Sequence, residues 1–177
     1  MQRFSWQLAR QQIAVLLLIT TVAYFGSGFA CGGPKTISVA AEAAKDIGGG
    51  VRDTIKAVGD AYDKKLITLE QKDRMADLLG AIAKGGLNGV GAIETLQKSG
   101  VTTLTGTNAQ VLNTIFSDEV IAPFLQLLTE LGKLSASSSA AICAALISVR
   151  TAIVLLSSKI GRVDVIQQIN RLESLNA

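Results

Sequence analysis

The chain of 177 residues contains no histidine. That removes the commonest general base, the commonest side-chain metal ligand and every Ser-His or Cys-His nucleophile arrangement. Cysteine is almost as scarce, with only Cys31 and Cys143. A Cys-based catalytic site is not expected from two such residues, one of them in the alanine-rich apolar run around 143, where a small buried hydrophobe is the ordinary role. If both thiols were unmodified in an oxidising compartment, a 31–143 disulfide would be the remaining use for them. Charge of one sign is lacking too. Arg3 and Arg10 account for two of the 17 basic residues, which leaves 15 against 14 acidic residues from position 31 onward, a net +1. The sequence pI of about 9.0 therefore describes the first thirty residues more than the rest. No basic field remains to argue for nucleic acid.

What is present is organised around the N-terminus. Arg3 and Arg10 precede Ile13 to Phe25, an apolar run without charge, and Gly26-Ser27-Gly28-Phe29-Ala30 leads into Cys31. A cationic start, a short apolar core and small residues before a cut site are the three parts of an export signal. Gly28 and Ala30 stand at the −3 and −1 positions of a cut before Cys31.

An apolar segment ending in small residues before a cysteine resembles the signal of bacterial lipoproteins. The resemblance covers residues 1–31. It departs from the usual pattern at Gly28, where a larger aliphatic residue is common, and at Phe29, where a small one is. The resemblance implies that Cys31 is the lipidation site and that the protein is exported and held on a membrane of the bacterial envelope. Ordinary cleavage and a retained anchor stay open, because Ile13 to Ala30 is 18 residues without a charge, at the lower edge of what spans a bilayer. Arg3 and Arg10 would then stay on the cytoplasmic side.

Residues 31–36, with Gly32-Gly33-Pro34, read as a flexible tether. Residues 37–177 are long enough for one domain with its own core, and their periodicity is helical throughout. Ile37, Ala40, Ala41, Ala44, Ile47, Val51, Ile55 and Val58 fall at steps of three and four, one face of an amphipathic helix. Thr68-Leu69-Glu70-Gln71 fits a capping box ahead of Met75, Leu78, Leu79 and Ile82. The glycines from Gly85 to Gly91 predict a kink between helices at 69–83 and 87–98, with one long bent helix as the alternative, since Leu87, Val90, Ile93 and Leu96 keep helical spacing. They match no complete nucleotide-binding fingerprint, and close packing against Gly48–Gly50 of the preceding helix is the better use for them.

Positions 99–117 carry no charge. Residues 100–106 read as a loop, Thr107 or Asn108 as a helix cap, and Ser117-Asp118-Glu119 as a fresh helix start favoured by the N-terminal dipole. Pro123 predicts a joint near 117–122. After a small-residue linker at 134–139, Ala140 to Ser157 is apolar on all sides with Ile142, Leu146, Val149, Ile153, Leu156 and Ile160 in register. Arg150 near its centre is costly in a bilayer, so a central bundle helix is the expected role. Gly161 ends it and Asp164 caps a last helix.

The paired carboxylates are Asp60 with Asp63, Asp73 with Asp77, and Asp118 with Glu119. None lies in a stretch that predicts the dry cleft an acid/base pair needs. The expectation is an all-α, single helical bundle of five or six helices behind an export or anchor segment. It is non-enzymatic, without metal, cofactor or small-molecule substrate. Its role is structural or protein-binding at the cell envelope, and its partners are the membrane and an envelope protein rather than nucleic acid. A membrane-integral or membrane-perturbing protein with spans at 13–30 and 140–157 is the other reading.

Overall fold

Thr68 starts a helix as its spacing requires. Its hydroxyl accepts from the Gln71 amide at 3.2 Å, and the Gln71 side chain accepts from the Thr68 amide at 2.8 Å. A computed structural model describes residues 37–175, and in it this capping box opens the second of the helices. In chain order they are α1 (Ile37–Asp63), α2 (Leu69–Lys98), α3 (Gly106–Phe116), a π-helical turn (Ser117–Ile121), α4 (Ala122–Gly132), α5 (Ala136–Ile160) and α6 (Val163–Leu175). Because α3, the π-turn and α4 follow without a break, the described residues form five helical rods and the fold is all-α. The segment expected to direct export, the tether expected at 31–36 and Cys31 lie outside the described residues.

The α1–α2 turn has a defined geometry. The Leu66 amide bonds the Ala61 carbonyl at 2.9 Å and the Lys65 amide bonds Tyr62 at 2.8 Å, the pair of bonds that closes a Schellman end. Lys65 sits at the left-handed position with φ of 57°. The turn is stapled to the start of α5, where the buried Ser138 hydroxyl donates to the Leu66 carbonyl at 2.8 Å and accepts from the Ser135 cap hydroxyl at 2.7 Å. Helix α5 therefore begins at Ala136, inside the stretch expected to be a linker, because serines there cap rather than loosen the chain.

Helix α1 lies between α2 and α5. Ile37, Ala40, Ala44, Ile47, Val51 and Val58 are buried as expected, whereas Ile55 is 46% exposed. All six in-register residues of α5 from Ile142 to Ile160 are buried, with Phe116, Phe124 and Leu127 completing the centre of one apolar core. Each such fully buried side chain contributes about 1.5–3 kcal/mol. Thr54, also fully buried, satisfies its hydroxyl on the Gly50 carbonyl at 2.8 Å.

Three expectations are corrected. Helix α2 does not break at the glycines but runs unbroken to Lys98; Gly85, Gly86 and Gly89 occupy its buried face while Leu87 points outward, 73% exposed. The helix survives its poor propensity because neighbouring helices pack directly on those bare backbone surfaces. Gly50 does not meet α2: a Cβ there would come within 2.7 Å of Val149 Cγ2 and 2.9 Å of Val149 N, both in α5. Gly86 does meet α1, with Ile47 Cγ2 3.3 Å from where its Cβ would be. Cys143 is exposed, not a core hydrophobe; neighbouring side chains desolvate its thiol and, with Glu173, push its pKa up.

Arg150 finds a partner that its own helix does not supply. It forms a bidentate pair with Glu173 of α6, with Nη2 to Oε2 at 2.8 Å, and also reaches Asn170. A charge in the middle of an apolar helix is thereby neutralised at the bundle surface. The Lys65→Gly variant should gain about 0.5–1 kcal/mol, because the left-handed penalty for a side chain exceeds glycine's extra freedom in the unfolded state. Thermal melts would show it, and an unchanged or lowered Tm would mean that Lys65 carries no such strain.

Candidate functional site: a π-turn seated on glycines

Pro123 has no N–H, so in a regular helix the carbonyl of Glu119, four residues earlier, would lack its partner. The chain widens there instead. The Ala122 amide bonds the Ser117 carbonyl five residues back, and the segment becomes a π-turn, a form often found at functional sites. This corrects the reading of Ser117-Asp118-Glu119 as a fresh start, although the joint itself is where Pro123 required it. Likewise α3 begins at Gly106 with Thr105 as its cap residue, and the Thr105 side chain makes no capping bond.

The wider turn needs space, and α2 supplies it. A Cβ on Gly85 would lie 2.6 Å from the Glu119 carbonyl carbon and 2.7 Å from its Cβ. A Cβ on Gly89 would overlap the ring of Phe116, which is fully buried. Between the two, Asn88 donates from Nδ2 to Glu119 Oε2 at 2.6 Å. The turn is held from its other side by Arg162 in the α5–α6 link. Arg162 Nη1 donates to the Ser117 hydroxyl and to Asn113 Oδ1 at 3.1 Å, and Ser117 donates to the same Asn113 oxygen at 3.0 Å. Arg162 meets Asp164 as well, Nη2 to Oδ2 at 2.7 Å. Asp164 lies in the first turn of α6. The hydrogen bond from Arg162 holds the Asp164 carboxyl below its ordinary value and holds the guanidinium above its own.

Chemically this cluster positions helices. Glu119 is engaged by the Asn88 amide and Asp164 by the Arg162 guanidinium, which ties α2, the α3–α4 rod and the α5–α6 link together, while Asp118 of the same turn is exposed. The other paired carboxylates are not drawn into it. Asp60 and Asp63 sit exposed at the end of α1, and Asp73 and Asp77 on the outer face of α2. Among the described residues no three His, Cys, Asp or Glu side chains are grouped to hold a metal ion. Sequence reasoning missed the Asn88–Glu119 and Arg162–Ser117–Asn113 contacts, which join positions 31 to 49 residues apart. The proximity of Pro123 to a charged tripeptide was the one local signal.

No protein-family model, no curated protein and no solved structure matches the chain.

Substituting the glycines separates the two roles of the residue. Gly91 faces open space, so Gly91→Ala should stabilise by about 1 kcal/mol through helix propensity. Gly89→Ala should instead cost about 1–3 kcal/mol net by overpacking against Phe116. Denaturant titrations of the two variants would test this, and a stabilised Gly89→Ala would refute the close seat.

The Arg162–Asp164 pair sets a pH dependence. A carboxyl whose folded pKa is depressed adds stability above its unfolded pKa and loses it as pH falls through the folded value. Asp164→Asn should therefore lower Tm at neutral pH, with the difference from wild type closing at the acid end of the carboxylate range. A difference that stays constant down to pH of about 2 would show that the pair is not the cause.

Proposed function

We propose that this is a non-enzymatic protein of the bacterial cell envelope, lipidated on Cys31 and carrying a helical bundle that serves a structural or protein-binding role. The observation that carries the reading is the run from Arg3 through Ile13–Phe25 to Cys31, whose charge, length and small-residue end suit export followed by tethering. The bundle supports it in a general way. Its apolar face closes into a core and its central arginine is paired, as befits a domain standing in water beside the membrane rather than within it.

A second reading has an observation of its own. Gly106–Gly132 and Ala136–Ile160 are both long and apolar enough to cross a membrane by length and composition. The second contains the span expected at 140–157, and the first is additional to it. The first stretch holds Asp118, Glu119 and Glu130, and the second holds Arg150, each costly at bilayer depth. The tethered globule is therefore preferred to the integral protein.

Intact mass of the full chain expressed in a bacterium, wild type beside Cys31→Ala, separates the readings. A mass for residues 31–177 plus lipid, lost in the variant along with membrane fractionation, is the expected result. An uncleaved, unlipidated mass in both, with the protein resisting alkaline wash, would overturn it in favour of the integral protein.

A further inference from the structure

Helix α6 is held to the bundle less firmly than its neighbour α5. It packs against α4 and α5, and of its side chains Val165 and Ile169 are fully buried while Ile166 and Leu172 are half-buried. Gln167, Gln168, Asn170 and Arg171 face water. Ten residues of α5 are buried by comparison. A helix of 13 residues is marginal without packing, so these few side chains carry most of what keeps α6 folded. The link before it is anchored separately, because Arg162 bonds Asn113 and Ser117 of the α3–α4 rod. Arg162 also grips Asp164, in the first turn of α6.

The far end of α6 is fixed by charge. Arg150 of α5 pairs with Glu173, Nη2 to Oε2 at 2.8 Å, and donates to Asn170 Oδ1 at 3.3 Å. Arg150, Val154 and Ser157 follow one another at steps of four and three, which places them on one line along α5. The guanidinium identifies that line as the one turned toward α6. Val154 is buried on it, and Ser157 is fully buried with a hydroxyl that finds no hydrogen-bond partner among the described residues. A buried hydroxyl left unpaired opposes the burial that creates it. Lifting α6 would give that hydroxyl water.

We propose that α6 is a releasable latch, which lifts from the bundle about the Arg162–Asp164 pivot while α1, α2 and α5 stay folded. The Arg150–Glu173 pair closes the latch, and the dry Ser157 hydroxyl works against it. Opening bares the apolar flanks of α4 and α5 that α6 covers. The fold thus has a second state, with a trough that an amphipathic helix fills in the closed one. Local opening of this kind is expected of the element with the fewest buried anchors.

Hydrogen exchange read by mass spectrometry on the purified full chain, in mild detergent with and without low urea, tests the latch. Amides of residues 163–175 should be at least about tenfold less protected than those of 37–63 and 142–160, and their exchange should respond little to urea, since a local opening exposes little surface. Glu173→Arg should speed exchange in 163–175 about twofold to fivefold and leave 37–63 unchanged. Arg150→Glu combined with Glu173→Arg should restore the wild-type rate. Ser157→Ala should slow exchange in 163–175 by about twofold or more, because the closed state no longer strands a hydroxyl. Protection in 163–175 equal to that of 37–63, with the same urea dependence, would mean that α6 opens only with the whole fold and would overturn the latch. So would a Glu173→Arg variant that loses protection equally in every helix, or faster exchange of 163–175 in Ser157→Ala.

Discussion

Pro123 imposes the constraint on which the middle of this fold depends. A proline in mid-helix leaves a carbonyl without its donor, and the chain responds by opening one turn to π geometry around Ser117–Ile121. A wider turn can be buried only against a surface with no side chains in the way. The glycines of α2 are that surface, with Gly85 under the Glu119 backbone and Gly89 under the Phe116 ring. The glycines that weaken α2 as an isolated helix are thus the ones that let the α3–α4 rod approach it.

Polar contacts then lock the arrangement. Asn88 holds Glu119 from the α2 side and Arg162 holds Ser117 and Asn113 from the α5–α6 link. Arg150 and Glu173 do the same for α5 and α6. Of the ion pairs among the described residues, Arg150–Glu173 joins two helices, whereas Lys133–Glu130 and Arg162–Asp164 are local; the remaining ties between rods are hydrogen bonds to Glu119, Ser117 and Asn113. Hydrogen bonds to charged groups are the stronger kind, and these sit at the joints of the core.

The same economy bears on function. A domain in which Glu119 and Glu173 tie one helix to another is suited to holding a shape.

Much of the secondary structure is legible in the amino-acid sequence. The capping box at Thr68–Gln71, the buried register of α5 and the core faces of α1 and α2 are local patterns, since helical periodicity and capping depend on residues within a few positions of one another. The joint near Pro123 is legible for the same reason. The form of that joint is not, nor is the continuity of α2 through Gly85–Gly91. Both depend on what packs across from them, and a glycine reads as a breaker until a second backbone arrives to fill its space. The partners of Arg150, Arg162 and Glu119 are likewise decided only by the tertiary structure, because contacts between residues 23 to 49 positions apart leave no periodic trace in the chain.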